Sequence, residues 1–136
     1  MVVSLDLHVL LTVVVGLQIK HLIVDFFLQT PYMYLNKGTF GHPGGIVHSA
    51  FHAIVTMAIL LSLPVTWGWL LIIGLVEFVI HYLMDWFKMW HCRRRDYHPK
   101  TEQFWEWLGV DQFVHQVNYV FTVVICIWIG AFAPPA

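Results

Sequence analysis

The chain has 136 residues, 59% of them hydrophobic and only 11% formally charged, where an average soluble domain carries about 25% charged residues. A net charge of −1 gives no general attraction to nucleic acid. Cys92 and Cys126 form neither a CxxC pair nor the disulfide framework of a small secreted domain, which leaves a single membrane-embedded unit.

A bilayer core takes about 20 apolar residues in helical form, and four stretches reach that length, at about 4–30, 44–63, 67–90 and 111–132. The first opens MVVSLDLH, without a basic leader or a small-residue cleavage site, so it reads as a retained span rather than a signal peptide. Pro31, Gly38, Gly41, Pro43, Gly44 and Gly45 mark the first connection, and Leu63-Pro64-Val65-Thr66-Trp67-Gly68 a tight second one. Trp67, Trp69, Trp86, Trp90, Tyr32 and Tyr34 fall near span ends, where aromatic rings anchor at the interface. The third connection begins HCRRRDYHPK and continues TEQFWEWLG. Its aromatic and acidic alternation predicts a short interfacial helix at about 99–109, before the last span. Arg93, Arg94, Arg95 and Lys100 in that connection, with Lys37 in the first, place both on the cytoplasmic side and both termini outside. The expected fold is all-α: one domain over 1–136, an up-down integral membrane four-helix bundle.

Each span carries acid/base or metal-ligand residues four apart: His21/Asp25, His48/His52, His81/Asp85 and Asp111/His115. That spacing sets both members on one helix face. Glu77 extends the third pair backwards, while Gln18, Gln29, Thr56, Lys88 and Asn118 are expected on the same stripes. Lys20 reads as deep but off the stripe, snorkelling or pairing within the bundle, and His8, His42, His91 and His98 as lying off the cluster. The pairs fall late in spans one and three and early in spans two and four, so a chain that reverses at each turn brings all four to one level, in the cytoplasmic half. An ionisable residue facing lipid at mid-helix costs on the order of 2.5–3.5 kcal/mol, so these residues must face one another. Packed carboxylates repel, and one or two divalent cations held by His21, Asp25, His48, His52, His81, Asp85, Asp111 and His115 would relieve that repulsion, as in bundle-core metal sites. A histidine-rich mixed set suits zinc first, then iron or manganese; a proton-wired polar core without metal is the competing reading.

At these residues the sequence resembles the small bacterial and phage-borne membrane proteins of domain of unknown function family 3307. The pattern stands here as His21-Leu22-Ile23-Val24-Asp25-Phe26-Phe27-Leu28-Gln29, Asn36-Lys37, His48 with His52, His81 with Asp85 and Lys88, and Asp111-Gln112 with His115. The resemblance implies a four-span protein of the bacterial inner membrane and supplies no reaction.

The residues themselves suggest a metal-dependent hydrolase acting on a lipid or lipid-linked phosphate or ester at the cytoplasmic leaflet. Asp25 or Glu77 would be the general base, and Lys88 would stabilise negative charge on the substrate. Transport of a metal ion or proton ranks second, because the outer halves (VLLTVVVG, MAILLSL, WGWLLIIGL, VVICIWIG) offer almost nothing to carry an ion. A di-iron oxidoreductase, or a metal-stapled subunit of a larger membrane complex, uses the same ligand set. Membrane lipids are the expected partners, and a homo-oligomer is compatible with the pattern.

Overall fold

The computed structural model describes residues 6–133, and no strand occurs among them. Helix α1 spans Leu7–Phe26, and the Asp6 carboxylate starts it by accepting from the backbone N–H groups of His8 and Val9. A single turn, α2, covers Pro31–Tyr34. Helix α3, Pro43–Leu60, has proline in its first turn and is capped by the His42 ring, which accepts from the Gly44 N–H. Helices α4, Trp67–Arg94, and α5, Glu102–Trp128, are longer than the bilayer core requires.

The third span runs to Arg94, four residues past its expected end, because no proline or glycine interrupts 86–94. Residues 99–109 do not make a helix of their own. After a turn, α5 begins at Glu102 and continues unbroken into the last span. The only breaker on the way is Gly109, whose cost of about 1 kcal/mol does not interrupt the i to i−4 hydrogen bonds. The first span is shorter than expected: α1 stops at Phe26, and Pro31 opens a new turn.

The four long helices are each long and apolar enough to cross a membrane. They close a ring in which α1 and α4 each contact both α3 and α5. At the end holding the N-terminus of α1, the Asp6 N–H donates to the Phe132 carbonyl at 2.8 Å. That half is filled by Val13, Leu17, Leu60, Leu63, Leu70, Ile73, Cys126 and Phe132. The other half is buried but polar, while Leu71, Leu75, Phe113, Val120 and Val124 face outward. An inside more polar than the outside suits a bundle solvated by lipid.

Candidate metal centre

Helical spacing delivers the polar residues to one half of the bundle: Lys20, His21 and Asp25 from α1, His48, His52 and Thr56 from α3, Glu77, His81, Asp85 and Lys88 from α4, and Asp111, His115 and Asn118 from α5. The rings interleave across helices. His52 stacks on His81 at 3.6 Å between centroids, and His81 on His115 at 4.0 Å.

Asp25 stands at the middle. Its Oδ1 lies 3.0 Å from His48 Nε2, 3.2 Å from His52 Nε2 and 3.8 Å from His81 Nε2, and the His48 and His81 Nε2 atoms are 3.1 Å apart. Donors at the 2.0–2.1 Å bond lengths of a tetrahedral zinc ion stand about 3.3–3.4 Å from one another. Three of these four distances are within a few tenths of an ångström of that spacing, and the ligand atoms of Asp25, His48, His52 and His81 all lie within 4.8 Å of one another, so the group could hold a single ion. A second group of this kind is His81, Asp85 and His115. Nδ1 of His48, His52 and His81 is buried without a hydrogen-bond partner. Packing, rather than an outer carbonyl or carboxylate, holds these rings.

Three of the buried carboxylates have an ammonium partner. Lys20 Nζ sits 2.7 Å from Glu77 Oε1, Lys37 Nζ 2.9 Å from Asp85 Oδ1, and Lys88 Nζ 3.1 Å from Asp111 Oδ2. Burial works against the charge on Lys37, but the Asp85 and Asp25 carboxylates outweigh it and hold the ammonium above the ordinary lysine range. Asp25, with its side chain 8% exposed, has only histidines as ion-pair partners among the described residues. A divalent ion among its neighbours' Nε2 atoms would provide the missing positive charge.

Of the eight expected ligands, Asp25, His48, His52, His81, Asp85 and His115 fall in groups that could hold a metal ion. His21 reaches the cluster differently. Its Nδ1 meets the Tyr119 hydroxyl and its Nε2 the Gln112 carbonyl oxygen, both at 2.8 Å, and Nε2 is also 3.1 Å from Asp25 Oδ2. It orients Asp25 with both nitrogens engaged. Asp111 lies beside His115, with Oδ1 3.4 Å from Nε2. Glu77, the alternative base, has its oxygens taken up by Lys20 and by the Asn118 amide, which donates at 2.6 Å. Thr56, Lys88 and Asn118 are buried as expected, but Gln18 is exposed: it is nearly a full turn before His21 and projects past the packed face.

Lys20 pairs within the bundle, one of its two expected placements, but it lies on the packed stripe and not off it. It is 3% exposed and also donates to the Thr56 hydroxyl at 3.1 Å. The signal was present, since Val13, Leu17, Lys20 and Val24, all buried, step by four, three and four residues as a packing stripe does. Lys37, singled out in the sequence only as part of the family pattern and as a charge of the first connection, and Tyr119, not singled out at all, are further site residues. Lys37 lies in a loop, where helical periodicity is silent. The loop can come so close because Gly45 lacks a side chain: a Cβ there would stand 3.3 Å from Lys37 Cα. His8, His42, His91 and His98 lie outside the cluster.

A cavity of about 560 Å³ leads from the cluster to the surface at the end where α1 finishes and α5 begins. Asp25, Gln29, Lys37, Lys88, Asp111 and Gln112 line its inner wall. Arg93, whose guanidinium donates to the Leu35 carbonyl, stands on the same cavity with Phe26, Leu35, Phe104 and Leu108.

Fold and site together define an all-helical protein with four helices suited to the membrane and a buried histidine–carboxylate centre that could hold a metal ion. The chain matches the family model described as "Protein of unknown function (DUF3307)" over residues 10–133 and belongs to that family. Neither the curated proteins nor the solved structures yield a match.

Proposed function

We propose that the protein is a membrane-embedded metal-dependent hydrolase of lipid or lipid-linked phosphates or esters at the cytoplasmic leaflet. In this reading Asp25, His48, His52 and His81 hold one divalent ion, zinc before iron or manganese. The observation that carries it is the position of Asp25, a half-buried carboxylate without an ammonium partner among the described residues, its Oδ1 ringed by three imidazole nitrogens and its side chain on the cavity wall. Three nitrogens and one oxygen are a donor set that zinc accepts readily.

An ion there that takes a water as a fifth ligand would lower the pKa of that water to about 7 and polarise a phosphoryl or carbonyl oxygen. Asp25 Oδ2, 3.1 Å from His21 Nε2, is the best-placed proton acceptor, and His21 holds it in orientation through Tyr119 and Gln112. Lys37 and Lys88 offer positive charge on the inner cavity wall, and Arg93 offers it further out. Phe26, Leu35, Phe104 and Leu108 give an acyl or prenyl chain an apolar path. A through-route for transport has less support, because beyond Lys20, Glu77 and Asn118 the bundle is closed by the apolar core.

The test is elemental analysis of protein purified in detergent without added metal, paired with phosphate release from a lipid phosphate monoester in mixed micelles. About one ion per chain is expected, with both ion and hydrolysis lost in His52→Ala. A wild type without metal, or hydrolysis indifferent to metal removal, refutes the reading.

A further inference from the structure

The buried lysines Lys20, Lys37 and Lys88 spend their protons differently. An ammonium group has three N–H donors. Lys20, which does not line the cavity, places its Nζ within reach of Glu77 Oε1 at 2.7 Å, the Thr56 hydroxyl at 3.1 Å and the His52 carbonyl at 3.5 Å, an acceptor for every donor. Lys37 and Lys88 line the cavity, and among the described residues each has a single acceptor, Asp85 Oδ1 at 2.9 Å and Asp111 Oδ2 at 3.1 Å. One acceptor for three donors leaves the rest of each ammonium unspent. With their side chains only 8% and 6% exposed, these donors do not lie on an open protein surface. Buried polar groups are rarely left without partners, and what completes these two must enter through the cavity.

We infer that Lys37 and Lys88 form the headgroup subsite for a chain-bearing phosphate monoester, which narrows the substrate from lipid phosphates and esters in general to that one class. The two ammonium groups come from different elements, Lys37 from the connection between α2 and α3 and Lys88 from α4, and a ligand that serves both must bring several acceptor oxygens. A carboxylic ester brings one carbonyl oxygen and no charge. A phosphate monoester brings three terminal oxygens and a charge of about −1.5 to −2 at neutral pH. The preference for a monoester over a diester rests on the proposed ion beside Asp25, which lines the same cavity. Asp85 and Asp111 already balance the two lysines, so the ion supplies the positive charge in excess. Ion and lysines are then three positive partners for three terminal oxygens, where a diester has one terminal oxygen fewer and a single charge. Phe26, Leu35, Phe104 and Leu108, on the wall of this cavity of about 560 Å³, receive the chain.

The test is isothermal titration calorimetry on the full-length protein in detergent, either loaded with Zn²⁺ and freed of excess or treated with chelator. The ligands are dodecyl phosphate, methyl dodecyl phosphate, inorganic phosphate and methyl dodecanoate, the last reporting partition into the micelle alone. Loaded protein should bind dodecyl phosphate about tenfold to a hundredfold more tightly than the diester, the worth of one charge-assisted hydrogen bond, and more tightly than inorganic phosphate. Chelation should erase the preference over the diester and keep the preference over the neutral ester. Lys37→Gln and Lys88→Gln, which retain a donor for Asp85 and Asp111, should each weaken dodecyl phosphate by a similar factor. Because a stranded carboxylate can unfold a variant, the wild-type ligand series decides by itself. Equal affinity of loaded protein for monoester and diester, or a preference that survives in both lysine variants, overturns the subsite even where elemental analysis finds the ion. Inorganic phosphate bound as tightly as dodecyl phosphate overturns the chain-bearing ligand. A wild type that purifies without metal yet prefers dodecyl phosphate to methyl dodecanoate, and loses that preference in the lysine variants, refutes the metal reading and supports the subsite.

Discussion

Lys20 Nζ and Glu77 Oε1 form a 2.7 Å ion pair between α1 and α4, with each side chain 1% exposed, on the side of the histidines away from the cavity. Removing one member of a buried pair strands the other, at about 3–5 kcal/mol, whereas replacing both by apolar residues costs far less. Glu77→Gln and Lys20→Met should each lower stability by that order, and Lys20→Met/Glu77→Leu should recover much of the loss. Equilibrium unfolding in mixed micelles measures all three. A double variant as unstable as the sum of the singles would show that the pair is not a closed unit.

Asp25→Asn keeps the shape of the side chain and removes its charge. If Asp25 is the anionic ligand, metal at a hundredfold excess over its Kd stabilises the wild type by about 2.7 kcal/mol and the variant hardly at all. Thermal unfolding with and without a chelator reads the difference, and an equal chelator-induced shift in the two proteins would contradict the assignment.

Arg93 stands on the cavity wall and is exposed. A charge-assisted hydrogen bond to a substrate is worth about 1.5–3 kcal/mol. Arg93→Gln should therefore reduce kcat/KM for an anionic lipid roughly tenfold to a hundredfold, with bound metal unchanged. An equal loss on a neutral ester substrate would point to a structural role, through the contact with the Leu35 carbonyl.

Two glycines should respond differently to alanine. A Cβ at Gly44 would stand 2.6 Å from the Tyr32 carbonyl oxygen, part of the backbone of α2, whereas one at Gly74 would meet the thioether of Met57 at 2.5 Å. The methionine can swing aside, since it is long and unbranched; the carbonyl cannot. Gly44→Ala should cost about 1–3 kcal/mol and disturb the turn that carries Lys37. Gly74→Ala should cost less, and the same unfolding assay compares them.

The convergence of the four pairs was legible because two independent regularities agree on it. One is the four-residue spacing within each helix; the other is the depth set by alternating chain direction. His48/His52 and His81/Asp85 needed nothing more. The role of His21 was not legible, because spacing gives a face and not a partner, and its nitrogens are engaged by Tyr119 and Gln112 of α5. Lys37 stood in the family pattern, but its pairing with Asp85 was not readable because helical spacing says nothing about a loop. The continuity of α5 was missed because tryptophan alternating with glutamate reads as an interfacial helix, while the backbone has no reason to stop before Trp128.

Each of the three ammonium–carboxylate pairs includes a residue of α4: Glu77 with Lys20, Asp85 with Lys37, and Lys88 with Asp111. That shared membership imposes an order on biogenesis. When α4 leaves the ribosome, the counter-charges for Glu77 and Asp85 have already been synthesised, but the one for Lys88 arrives only with α5. Until then Lys88, near the end of α4 and on the cavity, has no counter-charge, so the last of the three pairs closes only after the final hydrophobic segment has been made.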